Sequence, residues 1–542
     1  MKKLKRGFCL MMIITLLVSV FSACGKTETK DVVTEKENTG EKIVTMAMQS
    51  SWTSLYPYNS VAGYDTFVQL LLFDCLFNYN AEGEMEPRLA KSYEINDTFD
   101  EYTFYLDENA AWTDGTPVTA DDVVWTFKLQ TKEKLPTARR SYVAILDGTD
   151  DSGVEISEDS AGVEKIDDHT VKFTLKKPVD EVTFINNARM IVILPQHLLK
   201  DAPVETLDVN EFFNHPIGCG ALMYDQQIAG ESIEFTVNKN YHLGECDFDK
   251  FVIKVVNQAN ILAGFMAGEL DIAYIPGGLP ISDYEKATKQ ENMQIIVEET
   301  PAFCYMTMNM SEDYFADVRV RQAFNYAIDK QAIVDNAMLG LGVPIYTPYT
   351  KNNLYYKDDV EFLTYDPEKA KALLEEAGWD FERVLSFSVP TGDQTRQNAG
   401  LMVQQYLEAV GVKTEISTSD YSTHMAALIA GEYDLGLMSS AGSIYENPGG
   451  IGLCYNPDGA VNFGCISDPT YYDVFTKAID SLTSEEKREY AYELQEFCNE
   501  DQTYVYLYSA NAIIPISNRL GNLDYASFNA NNYAIWEWTC ED

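Results

Sequence analysis

Two short stretches of this chain read almost alike, and together they limit what it can fold into. Ala267-Gly268-Glu269-Leu270-Asp271-Ile272-Ala273-Tyr274 and Ala430-Gly431-Glu432-Tyr433-Asp434-Leu435-Gly436-Leu437 lie 163 positions apart, counted from Asp271 to Asp434. Each is an apolar helix stopped by glycine and followed at once by a strand. The pair predicts two comparable α/β lobes that meet near Pro301; the competing explanation is a chance likeness between two common helix–strand units. In such sheets ligands sit beyond the carboxyl ends of the strands. That expectation brings Tyr274 and Ile275 of one lobe, and Met438 to Tyr445 of the other, towards a shared cleft.

The rest of the chain agrees with an α/β class that includes some antiparallel pairing. Val320, Ala323, Phe324, Ala327 and Ile328 form one helical stripe, and Asp366-Pro367 opens a second helix that Gly378 closes. Thr483 and Glu486 form a capping box for a third, with Ala491, Leu494 and Cys498 on its inner face. Strands are expected over Thr170 to Leu175, Ile233 to Val237, Phe251 to Val256 and Tyr504 to Tyr508. Cys304 to Asn309 reads as a strand crossing between the lobes.

The N-terminus gives an address. Lys2, Lys3, Lys5 and Arg6 precede an apolar run from Gly7 to Val20, and Phe21-Ser22-Ala23-Cys24 follows. Small residues before a cysteine resemble a lipoprotein signal, with cleavage before Cys24 and acylation of Cys24; Phe21 departs from the usual aliphatic residue three places earlier. A transmembrane anchor, for which the run is short, and an ordinary signal with an incidental cysteine are the alternatives. Lys26 to Lys42 is charged and Thr-rich, as a spacer from a membrane surface is. Removing Met1 to Ala23 takes the formal charge from −44 to −48. Such an excess of carboxylates excludes nucleic acid as a partner.

Chemistry is hard to find. Cys75, Cys219, Cys246, Cys304, Cys454, Cys465, Cys498 and Cys540 show no CxxC pair, and the five histidines are scattered, so no metal or cofactor site is expected. The chain lacks a Gly-x-Ser-x-Gly elbow, a His-Glu-x-x-His pair and a phosphate-cradling loop inside the fold. These readings point to a non-enzyme that works by binding.

A family resemblance rests on several blocks. Ala111-Trp112-Thr113-Asp114-Gly115-Thr116-Pro117 with Thr119 and Asp122 is a turn followed by a helix cap. Pro87-Arg88-Leu89-Ala90, Gly218-Cys219-Gly220, Asp317-Val318-Arg319-Val320-Arg321-Gln322-Ala323 and Tyr365-Asp366-Pro367-Glu368 join it. Together they resemble the extracytoplasmic solute-binding proteins of ABC importers, specifically the peptide, opine and nickel family, over nearly the whole mature chain. The resemblance implies a two-lobed, periplasmic-binding-protein-like clamshell (type II, cluster C) with an additional N-terminal α+β domain. Its divisions would be a signal at 1–23, an acylated terminus and spacer at 24–43, lobe I from 44–77, 195–300 and 509–542, an inserted domain at 78–194, and lobe II at 301–508. The implied role is that of a lipid-anchored monomer on the outer face of the cell membrane. It captures a solute, foremost a short peptide, by hinge closure and delivers it to permease subunits that carry separate ATPases.

Two departures from the family pattern bear on the ligand. The usual Gly-x-Gly-Pro-Tyr block reads Gly218-Cys219-Gly220-Ala221-Leu222, and the loop that usually carries Asp-Pro reads Tyr445-Glu446-Asn447-Pro448. In peptide-binding members that Asp holds the ligand's ammonium; here Asn447 is neutral, so Glu446 supplies the charge or the ligand lacks an amino terminus there. Candidate ligand contacts are Trp52, Tyr56, Tyr274, Arg396, Ser439, Tyr445, Glu446, Asn447, Tyr455 and Phe463. Import of an oligosaccharide, opine or metal chelate, or sensing of a peptide or pheromone, is the alternative reading, and an extracellular hydrolase is the remote one.

Overall fold

Two mixed sheets organise the chain. The computed structural model describes residues 40–541 other than 81–83, 275–277, 443–447, 460, 526–527 and 529–532, and Lys42–Asp542 forms one unit. The leader, Cys24 and most of the spacer therefore lie outside the described residues, as do Ile275, Tyr445, Glu446 and Asn447.

The first sheet has seven strands in the order Met293–Glu298, Ala512–Ser517, Ile272–Ala273, Ile43–Met48, Lys250–Val255, Ser232–Val237 and Leu222–Ile228. The second has six, in the order Gly342–Pro344, Tyr504–Ala510, Phe303–Met308, Leu435–Ser440, Val384–Pro390 and Lys413–Ser419. A four-stranded antiparallel sheet spans residues 90–174, with helices Ala120–Gln130 and Glu181–Arg189 beside it. The expected α/β class with antiparallel pairing is what these sheets show. The four expected strands form within a residue or two of their predicted ends.

The near-repeat holds down to single atoms. Helix Gln258–Met266 and helix Tyr421–Ile429 both end at a glycine, Gly268 and Gly431, with φ of 69° in each, a backbone region that favours glycine. The next N–H reaches back five residues in both: Glu269 to the Gly264 carbonyl at 2.9 Å and Glu432 to the Ala427 carbonyl at 3.0 Å. The aspartate that follows does the same work twice. Asp271 accepts the Thr45 N–H at 2.9 Å, where Met46 pairs in parallel with Ile272. Asp434 accepts the Ser386 N–H at 2.6 Å, where Phe387 pairs in parallel with Leu435. Each carboxylate thus ties the strand that follows it to its parallel neighbour, one residue ahead of the register.

Local contacts account for three of the family blocks without a ligand. Thr119 N–H donates to the Asp122 carboxylate at 2.9 Å, closing the helix cap, and Gly115 turns the chain with φ of 89°. A Cβ at Gly218 would sit 1.8 Å from the Leu72 carbonyl, so only glycine fits the approach of these two segments. Arg321, 3% exposed, donates to the carbonyls of Phe315, Ala316 and Asp501 and to the Asp501 carboxylate, so it is a structural anchor. Thr483 Oγ1 accepts the Glu486 N–H at 3.2 Å, and Ala491, Leu494 and Cys498 are buried as the stripe predicts.

One expectation shifts by a few residues. The stretch read as a crossing strand is the strand Phe303–Met308, wholly inside the six-stranded sheet, and the crossing lies just before it at 299–302. The chain returns through Asn511, between Tyr504–Ala510 of one sheet and Ala512–Ser517 of the other.

Candidate ligand-binding cleft

Alternation along the strands builds the site. In Phe303–Met308, Cys304, Met306 and Met308 pack into the core on one face of the six-stranded sheet, while Phe303 and Tyr305 enter the cluster on the other. Val505 and Leu507 repeat the first pattern, Tyr504 and Tyr506 the second, and Leu437 and Met438 likewise point to opposite sides. Where this sheet meets the two crossings, a cavity of about 570 Å³ opens between the sheets. Leu279, Ile281, Ala512 and Ile513 bound it on one side, and Phe303, Cys304, Ser439 and Tyr508 on the other.

The crossings are stapled to each other beside the cavity. Ser509 Oγ donates to the Thr300 carbonyl at 2.8 Å, and Thr300 Oγ1 donates to the Ala510 carbonyl at 2.9 Å. Both side chains are buried, which keeps these two bonds out of competition with water.

The charged feature of the cavity wall is the start of helix Gln394–Ala409. Asp393 caps it by accepting the Arg396 N–H at 3.0 Å, and its other oxygen accepts Arg396 Nη2 at 3.2 Å. An arginine in the first turn works against the helix dipole, so Arg396 adds positive charge where the backbone is already positive. Its Nε and Nη1 are buried and have no hydrogen-bond partner among the described residues. An unsatisfied buried donor costs about 1–3 kcal/mol, and a charged one more. An anionic group in the cavity would remove that cost. Nearby, burial pushes the Cys304 thiol up to about 11, so it remains a thiol and is a poor nucleophile.

A second cavity of about 290 Å³ adjoins the first and shares Phe303 and Ser439 with it. Tyr305, Met425, Met438, Phe463, Tyr504 and Tyr506 are among its lining residues.

The structure brings three of the sequence candidates together. Arg396 and Ser439 line the main cavity, and Ser439 and Phe463 the side cavity. Four others sit elsewhere. The Trp52 indole N–H donates to Gln227 at 3.0 Å; the Tyr56 hydroxyl donates to the Pro136 carbonyl at 2.9 Å, with its ring edge-on to Tyr58 and Phe213. Tyr274 is 2% exposed among Tyr64, Phe67 and Tyr533. Tyr455 lies one layer behind the side cavity, 1% exposed, donating to Cys498 Sγ at 3.5 Å. None of these four lines either cavity. Phe303, Cys304, Tyr508 and Asp393 do line the main one, and sequence reading missed them. The period of two in Tyr504-Val-Tyr-Leu-Tyr marked a strand but not the face that stays uncovered.

The family model of bacterial extracellular solute-binding proteins, family 5 middle, matches residues 84–462. The oligopeptide-binding protein AppA of Bacillus subtilis is 24% identical over 553 residues, covering 97% of each chain. Heme-binding protein A of Haemophilus influenzae is 30% identical over 382 residues, covering 66% of each. The crystal structure of the ABC transporter substrate-binding protein CtaP of Listeria monocytogenes superposes with a TM-score of 0.81 at 22% identity, over 93% of this chain and all of that one. With more than half of its length matched and its fold shared, the chain belongs to the bacterial extracellular solute-binding proteins of family 5, two-lobed periplasmic-binding-protein folds of cluster C that serve ABC transporters.

Proposed function

We propose that this protein is the peptide-capturing subunit of an ABC importer, held outside the cell membrane by an acylated Cys24, and that it closes on its ligand by rotation about the two crossings. Lobe I is then 44–77, 195–300 and 509–542, lobe II is 301–508, and 78–194 is an inserted domain. Binding rather than catalysis is its work. The observation that carries the reading is Arg396, which lines a cavity bounded by both sheets and whose buried Nε and Nη1 have no hydrogen-bond partner among the described residues. A peptide's carboxylate satisfies such donors with charge-assisted bonds. Ligand contacts made to both sheets exist only in the closed form, so binding energy drives closure. The relative named for oligopeptides, AppA, supports the same class of ligand.

One residue favours a second reading. Asn447 stands where peptide-binding members of the family carry Asp, and a neutral amide holds an ammonium poorly. A ligand without a free amino terminus at that point would suit it. Native mass spectrometry of the chain expressed from Gly25, before and after denaturation, separates the two: a mixture of short peptides supports the first, a single non-peptide mass the second. For the first, Arg396→Gln is expected to weaken peptide binding by about 10–100-fold in calorimetry, the worth of a charge-assisted bond. Unchanged affinity in that variant would remove Arg396 from the site. Labelling of the wild-type chain with an alkynyl fatty acid, lost in Cys24→Ala, tests the anchor.

A further inference from the structure

The side cavity has a composition unlike the rest of the molecule. The chain carries 84 acidic residues, yet among the described residues none that lines this cavity is charged. Its floor and walls are the rings of Tyr305, Tyr504 and Tyr506 with Phe303, Met425 and Met438. The hydroxyl of Tyr504 is already committed, donating to the Cys454 carbonyl at 2.6 Å and accepting the Gly464 N–H at 3.1 Å, so that ring offers its apolar surface. The rings meet at angles rather than stacking: Tyr305 and Tyr504 cross at 90° with centroids 5.5 Å apart, and Phe303 and Tyr506 at 64° and 5.8 Å. Edges and faces presented this way receive a further ring, and thioethers adapt to ring edges.

The cavity is also placed to be reached from the cleft. Phe303 and Ser439 border both spaces, and they occupy neighbouring rungs of one ladder, where Cys304 pairs with Ser439 and Phe303 with Ser440. At about 290 Å³ it is at the lower end of small-molecule sites and suits one side group rather than a whole ligand.

We infer that this cavity selects the ligand by receiving one aromatic side chain, so that the preferred solute is a short peptide with Phe, Tyr or Trp beside the group that pairs with Arg396. This deepens the peptide reading and rests on it. A charged side chain entering the same space would be desolvated with no charged partner among the described lining residues, which makes the cavity a filter against Lys, Asp and Glu at that position. The two Met side chains give latitude among rings of different size while keeping the apolar requirement.

Calorimetry on the chain expressed from Gly25, with tri-alanine and with tripeptides carrying Phe, Trp, Leu, Lys or Asp at each position in turn, tests this. At one position the aromatic peptides are expected to bind at least about tenfold more tightly than tri-alanine, with the Lys and Asp peptides weaker than tri-alanine. Met425→Glu, at a half-buried position on the cavity wall, and Phe463→Ala should each bring the ratio of aromatic to alanine affinity towards one. Equal binding of all the peptides, or a preference that both variants leave untouched, overturns the assignment while the peptide reading stands. Failure of every tripeptide to bind overturns the peptide reading, and the aromatic filter with it.

Discussion

At the scale of single residues, His424 shows how a group that no motif marked acquires a role. It is fully buried, its Nδ1 takes the Ser388 hydroxyl proton in a 2.8 Å hydrogen bond, and its Nε2–H donates to the Leu437 carbonyl at 3.1 Å. Burial, and to a lesser degree the charge of Arg396, pushes its pKa down, against the pull of the Leu437 carbonyl. The folded imidazole is therefore neutral at pH values where the unfolded one, near its ordinary 6.5 or so, takes a proton. The stability this contributes is present above that value and is lost as pH falls below it, by up to about 1.4 kcal/mol per pH unit. Thermal unfolding from pH 7.5 to 5 should show the loss, and His424→Gln, less stable at pH 7.5, should flatten it. A slope identical in the two proteins would exclude His424 as its source. Arginines divide in the same way. Arg321 spends its donors on the carbonyls and carboxylate around it, whereas Arg396 keeps two nitrogens unpaired among the described residues, and a sequence shows neither outcome.

At the scale of elements, local signals are the ones that held. Gly268 and Gly431 stop their helices because glycine accepts the backbone region required, and the aspartates three residues later tie neighbouring strands. The glycine stops act over a few residues, so pattern alone finds them, whereas the aspartates reach Thr45 and Ser386 on strands that only the fold brings alongside. The crossings are different. The Thr300 and Ser509 pair joins positions more than two hundred apart, and no spacing rule connects them. Removing both hydroxyls in Thr300→Val/Ser509→Ala should cost about 1 kcal/mol for each bond and loosen the hinge. Hydrogen exchange at 299–303 and 508–512 is expected to speed up while exchange in the seven-stranded sheet is unchanged. Exchange at the wild-type rate in both segments would mean the staple does not restrain the crossings.

At the scale of the whole molecule, one buried ion pair spans the longest interval of any ion pair among the described residues. Lys487 of helix Ser484–Asp501 donates to Asp180, the cap of helix Glu181–Arg189, at 2.5 Å; their side chains are 1% and 6% exposed. Losing one partner strands the other without solvent, at about 3–5 kcal/mol, while losing both costs far less. Lys487→Met should thus lower the melting temperature more than Lys487→Met/Asp180→Asn does, as measured by differential scanning calorimetry. Equal destabilisation by the single and double variants would show that the pair is not coupled in solution. By itself the sequence determined the family, the α/β class, the helix caps, the paired helix–strand units and several strands, because each depends on residue types a few positions apart. Only the tertiary structure decided which aromatic residues face a cavity. Tyr56 and Tyr455 are as aromatic as Phe303 and Phe463, but the former pair is covered by neighbours from distant segments and the latter borders open space. Strand alternation fixes that side chains point to opposite faces, and only the packing of remote elements fixes which face remains open to a ligand.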